Sequence, residues 1–321
     1  MFTGKRFECA AEKTFSALGT INYIKICGGR EPKKILQEAE GRILEIEKRM
    51  SAFLPDSDVS KLRRNAGNGF VKISEETFRL LKTAVEFGKL TDGAFDITVR
   101  PLVELWGIGK KGTFIPSPEE IRQALRMVSY KDVELDEGSF SAALKHPGQS
   151  VDLGSIAKGY AADEVKRILL ENGIQSAMVN LGGNVMAVGS RPDGQPWKIG
   201  IQNPLAPTGE FLGVLSVTDK TVVTSGSNER FFIKDGVRYH HILDPRTGAP
   251  AQSSLLSVTA VCESSTHADA LTTALFLRGP EKSAPLRKET GAEAIFIDQN
   301  LSVTATFGLK NNFTVKRAES K

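Results

Sequence analysis

The chain has 321 residues, 42 Lys and Arg against 38 Asp and Glu, with 40% hydrophobic and 25% charged positions, the proportions of a folded globular protein. Disorder, a collagen repeat and a disulfide scaffold are excluded by those figures. A net charge of +4 is too small for a polyanion footprint, and no run of basic residues interleaved with aromatics could track a nucleic-acid backbone. Nucleic acid is therefore not an expected partner.

Cys9, Cys27 and Cys262 lie far apart and form no Cys-x-x-Cys pair, so reduced thiols are expected rather than a zinc or redox site. At the start of the chain Lys5 and Arg6 are followed by Phe7, Glu8 and Cys9, where an export signal would need an apolar run. Cys9 is thus a poor site for a lipid, no membrane span is expected, and the expected location is the cytoplasm. No repeat or linker divides the chain. A single domain over 1–321 is expected, with its core at about 15–308 and flexible ends at 1–14 and 316–321.

The segment 15–27 reads as one strand, and a Gly28-Gly29 break leads into 33–53, where Ile35, Ala39, Ile43, Ile46 and Met50 recur at helical spacing. Ser74, followed by Glu75 and Glu76, should cap a second helix running to about residue 90. Ser117, Pro118 and Glu120 spell a capping box for a third. Residues 155–173 read as a helix stopped by Gly173. After it come short strands at 177–181, 185–188, 197–201, 212–217, 221–224, 230–233, 237–242 and 255–261, then a helix at 265–277 and a hairpin at 294–307. The class is α+β, a mainly antiparallel sheet interrupted by helices.

Five segments carry more polar and glycine residues than packing requires. In Gly93-Ala94-Phe95-Asp96-Ile97-Thr98 the carboxylate could serve a site or merely cap a turn. In Val151-Asp152-Leu153-Gly154-Ser155-Ile156-Ala157-Lys158 a strand delivers Asp152 into a Gly turn and a helix start, where free N–H groups and Lys158 could cradle a phosphate. The bland alternative is that Asp152 or Ser155 caps that helix. Asn180-Leu181-Gly182-Gly183-Asn184 reads as an ordinary turn between strands. The run Thr224 to Arg230 precedes Tyr239-His240-His241-Ile242-Leu243-Asp244-Pro245-Arg246. Adjacent strand residues point to opposite sides, so one of His240 and His241 at most faces a site. Asp269 and Thr273 stand four apart on a helix and could offer oxygen donors to Mg²⁺, unless Thr273 simply bonds back to its own helix.

Taken in order, these segments resemble the FAD:protein FMN transferase family, also called the ApbE family. The resemblance rests on Ala17-Leu18-Gly19-Thr20, Met50-Ser51-x-Phe53, Ser57-Asp58-Val59, GAFDITVRPL, VDLGSIAKG, NLGGN, TSGSNERFF, HILDPRTGAP and ADALTTAL. It implies an ApbE-like, T-fold-like architecture and Mg²⁺-dependent transfer of FMN from FAD to a Thr or Ser of an acceptor flavoprotein, with release of AMP. Carried onto this chain, it places Met50, Ala94, Phe95, Asp96, Asp152, Lys158 and His241 at the FAD. It also places the metal on Ser155, through its main-chain carbonyl, and on Asp269 and Thr273. His241 is the expected base for the acceptor hydroxyl. An FAD pyrophosphatase using the same site with water is the alternative enzyme, and a flavin carrier without turnover is the non-enzymatic one.

Overall fold

Residues 10–316 are described by the computed structural model. The single strand expected at 15–27 is a hairpin. Leu18 and Gly19 take φ of +56° and +69°, a left-handed pair that suits the twist of a two-residue turn, and fold Ala11–Ala17 back on Thr20–Ile26. A leucine at the first turn position gives no sequence cue, which is why the break was not legible.

That hairpin forms one end of an eight-stranded sheet. Its spatial order is Ala11–Ala17, Thr20–Ile26, Ser176–Leu181, Asn184–Gly189, Thr221–Gly226, Leu255–Cys262, Glu293–Asp298 and Val303–Ala305. Every neighbouring pair is antiparallel. The sheet is buried on both faces, so Leu255–Cys262 is apolar or small throughout and buried at all eight positions. Its side chains still alternate: Val258 and Ala260 join one core and Val261 the other, the period of two that a pleated strand imposes.

On one face lie the helices Pro32–Met50, Ala157–Glu171 and Ser265–Lys282. Against the other packs a three-stranded sheet of Trp197–Gln202, Phe211–Val217 and Phe313–Val315, with Trp197, Ile199 and Leu215 on Ile295 and Ile297. The ordered structure thus begins before residue 15 and continues past 308. Cys9 and residues 317–321 lie outside the described residues.

The Ser74 cap and the Ser117 capping box are present as the sequence requires, starting Glu75–Leu90 and Pro118–Leu125. The helix expected from Ser155 starts two residues later, at Ala157, with no side-chain cap. Short helices at Asp58–Arg64, Arg100–Trp106 and Ala284–Thr290 were not legible, because seven or so residues are too few to establish a period. No helix among the described residues is long and apolar enough to cross a membrane.

Candidate active site

The site is built around the start of Ala157–Glu171, where it crosses Ser265–Lys282. Gly159 makes the crossing possible: a Cβ there would stand 2.2 Å from the Ser265 carbonyl oxygen. At this approach the Gly159 N–H donates to Asp269 Oδ2 at 3.0 Å, and no backbone bond from Gly159 to the Ser155 carbonyl is found among the described residues. The Ser155 carbonyl, one residue before the N-cap Ile156, lies at the same helix mouth outside the helical hydrogen-bond ladder.

Lys158 lies across the same mouth. Its ammonium donates to the Gly154 carbonyl at 2.8 Å and stands 3.4 Å from Asp269 Oδ1. A cation therefore already sits between a carboxylate and a main-chain carbonyl. Thr273, one turn beyond Asp269, is half-buried. The back-bonding considered for Thr273 is made instead by its neighbour, Thr272, whose hydroxyl donates to the Asp269 carbonyl at 2.9 Å.

Asp269 is 5% exposed, and its position is fixed by a carboxylate that sequence reasoning missed. Asp163 accepts from Ser265 N–H at 2.8 Å, Thr266 N–H at 2.9 Å and both the Ser264 and Thr266 hydroxyls. It satisfies the free N–H groups at the start of one helix from the body of the other. Asp163 has no sequence signal, because its partners are about a hundred residues away.

Asp152 does not cap the helix; it faces the other way. Oδ1 accepts from Gly154 N–H at 2.9 Å and Oδ2 from Arg100 Nη1 at 3.0 Å. Arg100 is buried, also pairs with Glu104, and lays its guanidinium 4.4 Å from the ring centre of the exposed Phe53. An unbroken line of contacts thus runs from Phe53 through Arg100, Asp152, Gly154 and Lys158 to Asp269. Arg100 is a second residue missed from sequence, its partner Asp152 lying 52 positions away.

The segment around Asp96 turns out differently. Oδ1 accepts from Thr98 N–H and its hydroxyl at 2.8 and 2.6 Å, and Oδ2 from Tyr130 N–H at 2.8 Å. Burial pushes this carboxyl up, and those hydrogen bonds oppose the shift. Both oxygens are committed within the protein. Met50, Ala94 and Phe95 are 3%, 2% and 1% exposed and belong to the main core. An apolar residue at the end of a helix or beside a Gly turn reads the same from sequence whether it faces a ligand or the core.

The two adjacent histidines divide as strand geometry requires. His240 is buried against Phe276, with Nε2 on the Ala251 carbonyl at 3.0 Å and Nδ1 accepting from Ile242 N–H at 3.3 Å. Both its nitrogens are used. Among the described residues His241 pairs only through its backbone, N–H to the Arg230 carbonyl at 3.0 Å, and its buried Nδ1 finds no partner there. Desolvation, then the nearby Arg230, pushes its imidazole down to about 4, so it is neutral at physiological pH. Lys158 also acts on His241 electrostatically, and both Lys158 and Asp269 act on Glu229. Glu229 reaches solvent yet is walled in closely enough that desolvation raises its carboxyl above the usual range. The structure therefore gathers Asp152, Ser155, Lys158, Asp269, Thr273 and His241, with Glu229 and Arg230 beside them.

An implied divalent ion can be tested against this donor set. No group of three His, Cys, Asp or Glu side chains suited to a metal occurs among the described residues. One carboxylate, a carbonyl outside the helical ladder and a hydroxyl are nevertheless hard oxygen donors. They fit an ion that keeps most of its ligands as water and phosphate oxygens, as Mg²⁺ does.

A lysine at a helix mouth beside a neutral, desolvated imidazole could meet the charge of a phosphate group. Residues 18–296 match the ApbE family model. The chain is 39% identical to the FAD:protein FMN transferase of Klebsiella pneumoniae (strain 342) over 267 residues, 82% of this chain and 83% of that protein. It is 35% identical to the one from Treponema pallidum (strain Nichols) over 315 residues, 93% of this chain and 87% of that protein. The crystal structure of the ApbE protein from Thermotoga maritima superposes with a TM-score of 0.87 at 35% identity, covering 94% of this chain and 98% of that one. The flavin transferase ApbE from Vibrio cholerae gives 0.84 at 29% identity, with the same coverage. The chain belongs to the ApbE family, and it is a flavinyltransferase.

Proposed function

We propose that this protein transfers FMN from FAD to a Thr or Ser hydroxyl of an acceptor flavoprotein, with a divalent cation, Mg²⁺ in the first instance, and with AMP as the other product. The observation that supports this reading is the helix mouth, where Lys158 donates to the Gly154 carbonyl and stands 3.4 Å from Asp269, close enough to His241 to act on it electrostatically. Single-domain organisation over the whole chain, with the substrate held in one cleft, is part of the same reading.

Ser155, Asp269 and Thr273 would hold the ion, which when bound would supply positive charge to offset that developing on the pyrophosphate. Asp152, Lys158 and His241 face the FAD, Lys158 countering phosphate charge from the first helical turn. Met50, Ala94, Phe95 and Asp96 support that wall from behind, any contact of theirs being through backbone. The acceptor oxygen forms a bond to the FMN phosphorus as the bond to the AMP phosphate breaks. Its proton passes to the neutral His241 imidazole through Nε2, the nitrogen not buried in the wall. Arg230 disfavours the resulting imidazolium and helps to drive the proton onward.

Incubating the protein with FAD, Mg²⁺ and candidate acceptors from the same cell tests the proposal by mass spectrometry. An FMN-sized addition on Thr or Ser with release of AMP is expected. Free FMN and AMP in every mixture, with no modified protein, would make the enzyme an FAD pyrophosphatase instead.

A further inference from the structure

Between Glu229 and His241 the chain leaves the body of the protein as a two-stranded ribbon, Phe231–Lys234 with Val237–His240. Asp235 and Gly236 turn it with φ of +51° and +75°, the tight hairpin geometry that fixes register. Among the described residues the ribbon joins no other sheet. Its two edges are not equivalent. The second strand runs on into a segment that pairs with Pro250 and Ala251, through Leu243 opposite Pro250 and Ala251 N–H on the Ile242 carbonyl. The outer edge is therefore Phe231–Lys234.

The pairing shows which groups that edge presents. His241 N–H bonds the Arg230 carbonyl, so residues 230, 232 and 234 face the partner strand, while the N–H and C=O groups of Phe231 and Ile233 point outward. The same two residues expose their side chains, by 39% and 57%. On the opposite face Phe232 stacks on Tyr239, and Tyr239 on Trp106, which anchors the ribbon, while on the Phe231 and Ile233 face the Arg238 guanidinium lies 4.2 Å from the Phe231 ring centre and Ile233 is the more exposed of the two. Unpaired backbone beside exposed apolar side chains is a template for another strand. One end of this template lies at Arg230, which pairs with His241.

We propose that an extended segment of the acceptor protein adds to the Phe231–Lys234 edge, lays alternate apolar side chains against Phe231 and Ile233, and presents its hydroxyl from an intervening position, on the face that His241 shares with Phe232 and Tyr239. This rests on the transferase reading, since only a reaction on a polypeptide needs such a track beside the base. The occupant is a strand with apolar residues at every second position leading to the modified Thr or Ser.

The probes are a synthetic fifteen-residue peptide with one Thr preceded by Val or Ile at every second position and Ser between them, and a peptide of the same composition with that alternation scrambled. Transfer is followed by mass, flavin binding by fluorescence, and docking by hydrogen exchange at Phe231 and Ile233. Wild type should protect those amides with the alternating peptide and modify it in preference to the scrambled one. Ile233→Lys keeps an exposed position exposed, and Ile233→Pro removes one outward N–H without touching a bond inside the ribbon. Both should raise KM for the peptide at least about tenfold, the scale of one hot-spot contact, and leave FAD affinity unchanged. Equal use of the two peptides with unaltered KM in the variants overturns the proposal, as does a parallel loss of FAD affinity. A wild-type dimer that Ile233→Lys converts to monomer would assign the edge to a second copy of the chain. If no FMN reaches any polypeptide, the transferase reading fails, and the exchange measurement still decides docking: no protection rejects it.

Discussion

Two carboxylates in polar motifs, Asp96 and Asp269, look alike in the sequence and differ in how the fold uses them. Asp96 spends both oxygens on Thr98 and Tyr130. Asp269 spends one on Gly159 N–H and leaves the other to a cation, Lys158, at 3.4 Å. The same split separates His240, bonded at both ring nitrogens, from His241, whose buried Nδ1 finds no partner among the described residues. Proteins satisfy buried polar groups almost everywhere. A group left short inside a cleft is therefore held ready for something that the chain itself does not supply, whereas a fully bonded one stabilises the fold.

The sharpest way to break that distinction is at Asp269. Asp269→Ala should lower transfer by at least about 10³-fold, since it removes the only carboxylate proposed for the metal where charge develops. A circular-dichroism melt should show the fold retained. Metal-dependent transfer near the wild-type rate would end the assignment.

Next comes the histidine pair, measured at saturating FAD. His241→Ala should slow transfer by about 10²–10⁴-fold, the usual share of a positioned base. His240→Ala should spare most of the turnover per folded molecule and cost about 1–3 kcal/mol of stability, the cost of emptying a bonded buried site. Full recovery of the His241→Ala rate by excess FAD would reduce that residue to a phosphate contact.

The pH dependence sharpens the same point. His241 falls from an ordinary value of 6.5 to about 4 in the folded protein. Between those values the unfolded chain binds a proton that the folded one refuses, so this group favours unfolding as pH drops from 6.5 toward 4. Urea titrations at pH 7 and pH 5 should show stability lost on acidification in wild type and a smaller loss in His241→Ala. Equal slopes would mean that the imidazole is not desolvated.

Asp96→Ala should cost about 2 kcal/mol, because it strands buried donors on Thr98 and Tyr130, with FAD affinity of the folded protein little changed. A large affinity loss at unchanged stability would return Asp96 to the ligand. Smallest of all, Glu120→Ala removes half of the Ser117 capping box and should cost about 0.5–1 kcal/mol with no effect on transfer.

Legibility followed the range of the interaction. Helices with caps and long periods, such as Glu75–Leu90, were read correctly, as were the antiparallel strands between turn residues. The Leu18-Gly19 turn was missed because leucine seldom adopts a left-handed φ. At the site, Asp269, Lys158 and His241 stood out by residue type and by their company in order along the chain. What could not be read was satisfaction: whether Asp96 or Asp269 is fully bonded depends on Tyr130 and Gly159, 34 and 110 positions away. Arg100 and Asp163 escaped notice for the same reason, their partners Asp152 and Ser265 being 52 and 102 positions distant.

The near-contact of Gly159 with Ser265 makes one atom position a shared constraint on folding and turnover. Any side chain at 159 must pry the two helices apart, and in doing so it withdraws the N–H that aims Asp269. Efforts to stabilise the protein by replacing helical glycines, a gain of up to about 1 kcal/mol at compatible sites, should leave this one untouched: a thermostability screen that samples residue 159 will discard enzymes faster than it improves them.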